Sequence, residues 1–376
     1  MISNAGGQVQ YWAQYGLTAA YGAETAHATL SVAQNAPTPV TVEITGLNRA
    51  TKYHYRLCAS DSQQNGGPGC GADRTFTTQS FACGETVTKS VRLTADVFCT
   101  DTAGLVLGAD GIDINLAGFD LSTLIGSGGG VAAISNDGFD GVTIRNGSLI
   151  GAMQLTGASG NVIRDVDAQG AGDVVHIEGG SGNEIRSSRL FARGSGVAAN
   201  GSDDLVVANT HITSLIGAGI SAHGDGARIL RNELEATNSV VSSGISLTGS
   251  NDRVVDNRIT GPWLAGGLVL LGGADNVIAE NHVSDTGDPA FNMDARFGDG
   301  IFVGAFTAGT LLRNNLAENN TDDGIQVQAS DARLRDNTAF NNGDFGIDAA
   351  AGVTDLGGNS ASGNGNPVQC RNVFCQ

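Results

Sequence analysis

Asp299 and Asp323 each stand directly before a glycine that opens an apolar-x-apolar triplet, Gly300-Ile301-Phe302-Val303 and Gly324-Ile325-Gln326-Val327. If these segments are equivalent strands of neighbouring coils, the two carboxylates lie about 5 Å apart. Acids that close repel, so one pKa must rise, which is what a general acid needs. The same pair offers oxygens to Ca²⁺, an ion that takes several. The plainer reading is turn chemistry, because Asp-Gly is a common bend. Just upstream, Ser284 to Asp299 adds Asp285, Asp288, Asp294 and Arg296, with Phe291 and Phe297 among them. Phe302 should face outward, since Ile301 and Val303 face in, and Trp263 lies shortly before. Aromatics beside carboxylates suit a sugar-binding cleft. The candidate catalytic set is Asp299, Asp323, Asp294 and Arg296, with Asp299 and Asp323 also the candidate Ca²⁺ ligands. Trp263, Phe302, Gln326 and Asp288 are candidate substrate contacts. A solvated acidic loop pinned by its phenylalanines competes with this set.

A second outward line joins His176, Glu178, Asn200, Ser221, His223, Ser246, Thr248 and Gln328 to Gln326. His176 and His223 fall two coils apart, roughly 10 Å, too far to share a metal. The line reads as a neutral groove for sugar hydroxyls or as an ordinary solvated β-face. The concentrated positive charge is Arg145, Arg164 and Arg186, one per coil. Asp165, Asp167 and Glu184 are near enough in sequence to neutralise it; otherwise the column suits an anionic polymer.

These placements depend on a repeat. An apolar anchor recurs at Ile114, Ile144, Ile163, Ile185, Val206, Ile229, Val254, Ile278, Leu311, Leu334 and Leu356. A glycine precedes an apolar-x-apolar triplet at Gly196, Gly219, Gly244, Gly267, Gly300, Gly324 and Gly346. A unit near two dozen residues with short period-2 segments means stacked coils of strands, not helices. Each strand must then pair in parallel with its equivalent one coil away. Three residues after the anchor, Asn recurs at 209, 232, 257, 281, 314, 337 and 359. Asn tolerates a left-handed bend, and stacked amides bond to one another, so this row is structural. The step from Gly267 to Gly300 is 33 residues against a norm near 23. Insertions that break a solenoid's period are where function is added.

With these repeats, the region from about residue 80 to 376 resembles a right-handed parallel β-helix of the short-repeat family, about eleven coils over three quarters of the chain. That resemblance implies an all-β fold but spans lyases, hydrolases, epimerases and proteins without chemistry. Asp322-Asp323-Gly324-Ile325-Gln326-Val327 is similar to the Asp-Asp strand of polygalacturonases. The rest of that set is missing: His223 lies on the wrong side of its strand and several coils away, and no Arg-x-Lys follows. Asp288-Pro289 matches half of a mannuronan epimerase motif and lacks its base.

Residues 1–79 read as a separate β-sandwich-like module, with strands at Val40–Ile44, Tyr53–Leu57 and Arg74–Thr78. Leu47, Thr51 and Tyr53 resemble the Leu-x-x-x-Thr-x-Tyr corner of a fibronectin type III domain, whose first two strands are absent here. Six cysteines form three local pairs, Cys58 with Cys70, Cys83 with Cys99 and Cys370 with Cys375, implying an oxidising compartment. Met1 is followed by no apolar leader, so a leader and more are expected upstream. Twenty basic and 38 acidic residues give a net charge of −18, which disfavours nucleic acid and anionic membranes. No apolar run is long enough to span a bilayer. The expectation is a monomeric secreted or cell-surface rod that binds and cleaves a polysaccharide or cell-wall glycan. The alternative is a non-catalytic adhesion or spacer protein.

Overall fold

A computed structural model describes residues 7–32, 37–61, 67–100, 102–124, 132–238, 242–288 and 297–376. The chain divides into two compact units, Met1–Ala82 with Leu93–Asp96, and Cys83–Arg92 with Val97–Gln376. The first is a six-stranded antiparallel sheet. Its long strands Gly7–Gly16 and Lys52–Asp61 pair from Val9–Asp61 to Gly16–His54. The Cys58–Cys70 disulfide staples it. The described strands form one sheet, with no second layer facing it, and Val40–Ile44 is not a strand. The Tyr53 hydroxyl accepts the Asn48 backbone N–H at 3.1 Å.

The second unit is a parallel β-solenoid of about twelve turns. Each coil contributes a strand to a fourteen-stranded narrow sheet, one coil adding the extra strand Thr307–Ala308, and most coils contribute two short strands to a 22-stranded wide sheet. The stack begins one coil earlier than the apolar anchors suggest, because Val91 pairs with Ile114. Narrow-sheet strands alternate inward apolar residues with outward ones, as in Ile220-Ser221-Ala222-His223. The glycine before each triplet is required by close approach. A Cβ on Gly219 would overlap the Leu234 side chain of its own coil and the Gly244 carbonyl of the next.

The wide sheet corrects the register by one residue in places. The inward column runs Ile185, Val207, Ile229, Val254, Ile278, Leu312, Leu334 and Asp355, so Val206, Leu311 and Leu356 are not its members. Val206-Val207 and Leu311-Leu312 are adjacent apolar pairs, and spacing alone does not say which one turns in. The amide ladder shifts with it. Each of Asn232, Asn257, Asn281, Asn315 and Asn337 donates its backbone N–H and its Nδ2 to the Oδ1 of the next Asn, ending at Asn359. Asn209 and Asn314 lie one position earlier, at the left-handed bend itself, with φ of 52° and 55°. Bending and stacking therefore fall on adjacent residues: the αL residue turns the chain and the next buries its amide. A further ladder runs Asn320, Asn342, Asn364 to Gln369. Disulfides Cys83–Cys99 and Cys370–Cys375 close the first and last parts of the solenoid, as their spacing suggested. No helix among the described residues is long and apolar enough to cross a membrane.

Candidate functional site

Asp299 and Asp323 occupy the same turn position in adjacent coils, just before the paired strands Ile301–Val303 and Ile325–Val327. Turn chemistry holds one oxygen of each. The Asp323 N–H donates to Asp299 Oδ1 at 3.1 Å, and the Phe345 N–H to Asp323 Oδ1 at 2.8 Å. Asp173 uses its Oδ1 in the same way on the Ser195 N–H, far from any acid stack, so this bond marks a bend and not a site. The second oxygens differ. Asp323 Oδ2 receives Gln326 Nε2 at 3.2 Å. Asp299 Oδ2 is buried with no partner. Burial, then the charges of Asp323 and Asp322, push the Asp299 carboxyl well above its ordinary range. Burial also pushes Asp323 up to about 7, with Asp322, Asp348 and Asp344 adding to it. Burial with no donor on that oxygen favours the neutral carboxyl over the anion.

Two neighbours extend the stack to the surface. Asp344 stacks on Asp322, its N–H donating to the Asp322 carbonyl at 3.1 Å. Asp322, Asp323 and Asp344 bring one carboxylate oxygen each within 4.8 Å of one another, and Asp322 and Asp344 are half-exposed. Burial and the charges of Asp344 and Asp348 raise the Asp322 pKa as well. Asp348 is bound by the Arg371 guanidinium through both nitrogen–oxygen contacts. The arrangement therefore sets a buried side chain that favours its neutral form beside the half-exposed Asp322 and Asp344, and the three grouped oxygens suit a divalent cation equally.

Other expected contacts fall elsewhere. Trp263 is 0% exposed and its Nε1 donates to the Thr260 carbonyl at 3.1 Å, so it is core and not a cleft wall. The indole folds inward, where burial of a large apolar side chain outweighs exposure. Phe302 is in the outward column but is only 4% exposed, as its column neighbours Val269, Gln326 and Asp348 are also buried. It is not an open wall either. Asp288 is half-buried, and Asp294 and Arg296 lie outside the described residues. His176 and His223 are in different outward columns: His176 aligns with Ala198 and Ser221, His223 with Asn200 and Thr248. His176 meets Asp173 and Glu178 at 3.4 and 3.0 Å, and His223 meets Ser221 and Thr248. Arg145, Arg164 and Arg186 do stack, and each is neutralised, by Asp113, Asp165 and Glu184. Sequence reasoning missed Asp344 and Asp348. The signal for Asp344 was present, since it follows Asp322 by one coil of 22 residues.

Solved structures similar to this chain are so at low identity. A double mutant of the periplasmic alginate epimerase AlgG is 16% identical, with a TM-score of 0.53 over 79% of each chain. The pectate lyase Pel9A is 12% identical, with a TM-score of 0.43 over 76% of this chain and 82% of that one. PfbA, a surface adhesin of Streptococcus pneumoniae, is 12% identical, with a TM-score of 0.41 over 77% of this chain and 82% of that one. No curated protein sequence matches this chain. The family described as the right handed beta helix region matches residues 110–266 and 218–372. By repeat, by strand pairing and by that match over most of its length, the chain belongs to the right-handed β-helix family.

Proposed function

We propose that this protein is a secreted β-helix protein that binds an extracellular polysaccharide across the narrow sheet and cleaves it at the aspartate stack. The observation that carries the reading is the buried, unpartnered Asp299 oxygen stacked on Asp323, beside the half-exposed Asp322 and Asp344. In this reading Asp323 gives its proton to the leaving glycosidic oxygen, and Asp299, held neutral beneath it, keeps that proton in place. Asp344 or Asp322 attacks the anomeric carbon as the glycosidic bond breaks, and water then hydrolyses the glycosyl ester so formed. Oxygens within 4.8 Å suit direct attack, whereas activating an intervening water needs carboxyls roughly 6.5–9.5 Å apart. Five aspartates with one arginine favour a neutral glycan over a polyuronate. The likeness to a periplasmic alginate epimerase supports a polysaccharide ligand in kind, not its identity. Three disulfides support an oxidising, extracellular setting. The first unit is read as a fibronectin type III-like spacer over residues 1–79, on the Tyr53 corner.

The three grouped oxygens favour a second reading, in which Ca²⁺ bridges Asp322, Asp323 and Asp344 to a uronate polymer. One experiment separates the two. A soluble β-glucan, an α-1,3-glucan, polygalacturonate and alginate are incubated with the protein, with Ca²⁺ or with chelator. Reducing ends and unsaturated uronides are followed. Chelator-insensitive reducing ends from a glucan, lost in Asp323→Asn with the melting temperature kept, support hydrolysis. Ca²⁺-dependent unsaturated products support the cation reading. Neither binding nor turnover of any polymer defeats both and leaves the adhesion or spacer role.

A further inference from the structure

We propose that Phe306, with Leu271 beside it, is a stacking platform for one pyranose ring of the polysaccharide chain, at the opposite end of the strand that follows Asp299. This rests on the reading of the aspartate stack as the reactive site. In a chain whose aromatic content is only 5%, Phe306 is 90% exposed, so an apolar ring stands in water without local cover.

The backbone departs from its period to put it there. Upstream, the narrow-sheet strands stack residue on residue, Ala222 on Leu247 and His223 on Thr248. In the next coil Leu247 pairs with Leu270 but Thr248 pairs with Gly272, so Leu271 is an extra residue. It is pushed out to 42% exposure. One coil further, Val303 pairs with Leu270 and Thr307 with Gly273, so residues 304–306 stand opposite the two residues 271–272. Two successive coils thus each gain a residue at one place, and both gains deliver an apolar side chain to solvent. Bulges of this kind re-aim side chains at the rim of a sheet.

The turn is also built stiffly. The Thr307 N–H and its Oγ1 both donate to the Gly304 carbonyl, at 3.2 and 2.9 Å, and the Gly304 N–H donates to the Leu270 carbonyl at 2.8 Å. A Cβ at Gly304 would come within 3.4 Å of the Leu271 carbonyl oxygen and of Phe302 Cε1, so the turn sits tightly on the bulge below. A turn already fixed before binding adds little backbone ordering to the cost of contact. Gln328, exposed and hydrogen-bonded through its N–H to the Val303 carbonyl, commits its Nε2 to Gln326 Oε1 at 3.3 Å and keeps its own Oε1 to accept from a ring hydroxyl. The apolar face of a pyranose and its polar edge are thus both met. Asp299 precedes the strand Ile301–Val303 and Phe306 follows it, so at roughly 3.3 Å per residue they are at most about 23 Å apart, the reach of a few sugar rings.

The test uses the whole protein, with disaccharides and hexasaccharides of the β-glucan, the α-1,3-glucan, polygalacturonate and alginate. Phe306→Ala should weaken hexasaccharide binding by about tenfold and leave turnover of the disaccharide unchanged. Phe306→Trp should restore binding. Melting temperatures should match throughout, since the side chain packs on little. Equal hexasaccharide affinity in Phe306→Ala overturns the platform, and if Asp323→Asn still abolishes turnover, the reactive site stands without it. Binding of none of the eight probes by the wild type overturns both. A change in sedimentation alone, with sugar binding kept, makes Phe306 a contact between copies of the chain and overturns the platform too.

Discussion

Asp252 takes the place that asparagine holds in equivalent coils, and replacing it with Asn should stabilise the rod above neutrality. Its Oδ1 accepts the Ala227 N–H at 2.8 Å, and its own N–H donates to Asn276 Oδ1 at 2.7 Å, as in an amide ladder. In Asn276 the other side-chain atom, Nδ2, donates to the Gly249 carbonyl at 2.9 Å. In Asp252 it is an oxygen, buried and unpartnered. By the coil repeat, that oxygen faces the Gly224 carbonyl, so an ionised Asp252 sets acceptor against acceptor. Burial, with a smaller contribution from Asp225, pushes its pKa from 3.8 up to about 6. A raised folded pKa means that the stabilising proton is fully present below about pH 4. Its contribution falls as pH rises through about 6 and is gone above it. Two units correspond to about 3 kcal/mol, with no discount for solvent because the residue is only 1% exposed. Asp252→Asn carries the donor permanently. Denaturant midpoints should therefore coincide near pH 4 and separate by the equivalent of about 2–3 kcal/mol by pH 8. A variant no more stable at pH 8, or a difference that does not vary with pH, would refute the reasoning.

Asn281→Ala should cost about 3 kcal/mol in denaturant titrations, because its buried amide donates to the Val254 carbonyl and to Asn315 while accepting from Asn257. Asn314→Gly should stay within about 0.5 kcal/mol of wild type, since Asn314 is exposed and glycine tolerates its positive φ. Trp263→Ala should lower stability by about 3–5 kcal/mol, and glycan affinity measured where the variant is folded should not change; selective loss of affinity would return the indole to the binding face. Opening Cys83–Cys99 by paired serine substitution should speed amide exchange in the first coil and leave the coils around Asn257 unaltered. Uniform loosening would show that the rod unfolds as one unit.

What the sequence by itself determined follows from period. Repeats near 23 residues with a glycine before each triplet permit only stacked strands, so the solenoid and the stacking of Asp299 on Asp323 were legible without coordinates, and the local spacing of the cysteines made their pairs legible too. Period says which residues share a column. It does not say which of two adjacent apolar residues turns inward, and so Val206 and Leu311 stood one place from the true column and Asn209 and Asn314 one place from the true ladder. Nor does it say what covers a column: Phe302 faces outward as alternation requires and is nevertheless buried, and Trp263, expected as a cleft wall, lies in the core. Phe306 and Leu271 became visible only when pairing showed which residues are extra. The orphan oxygens of Asp299 and Asp252 belong to tertiary structure for the same reason. A carboxylate's charge state depends on every donor and dipole around it, and those neighbours arrive from coils that sequence separation keeps apart.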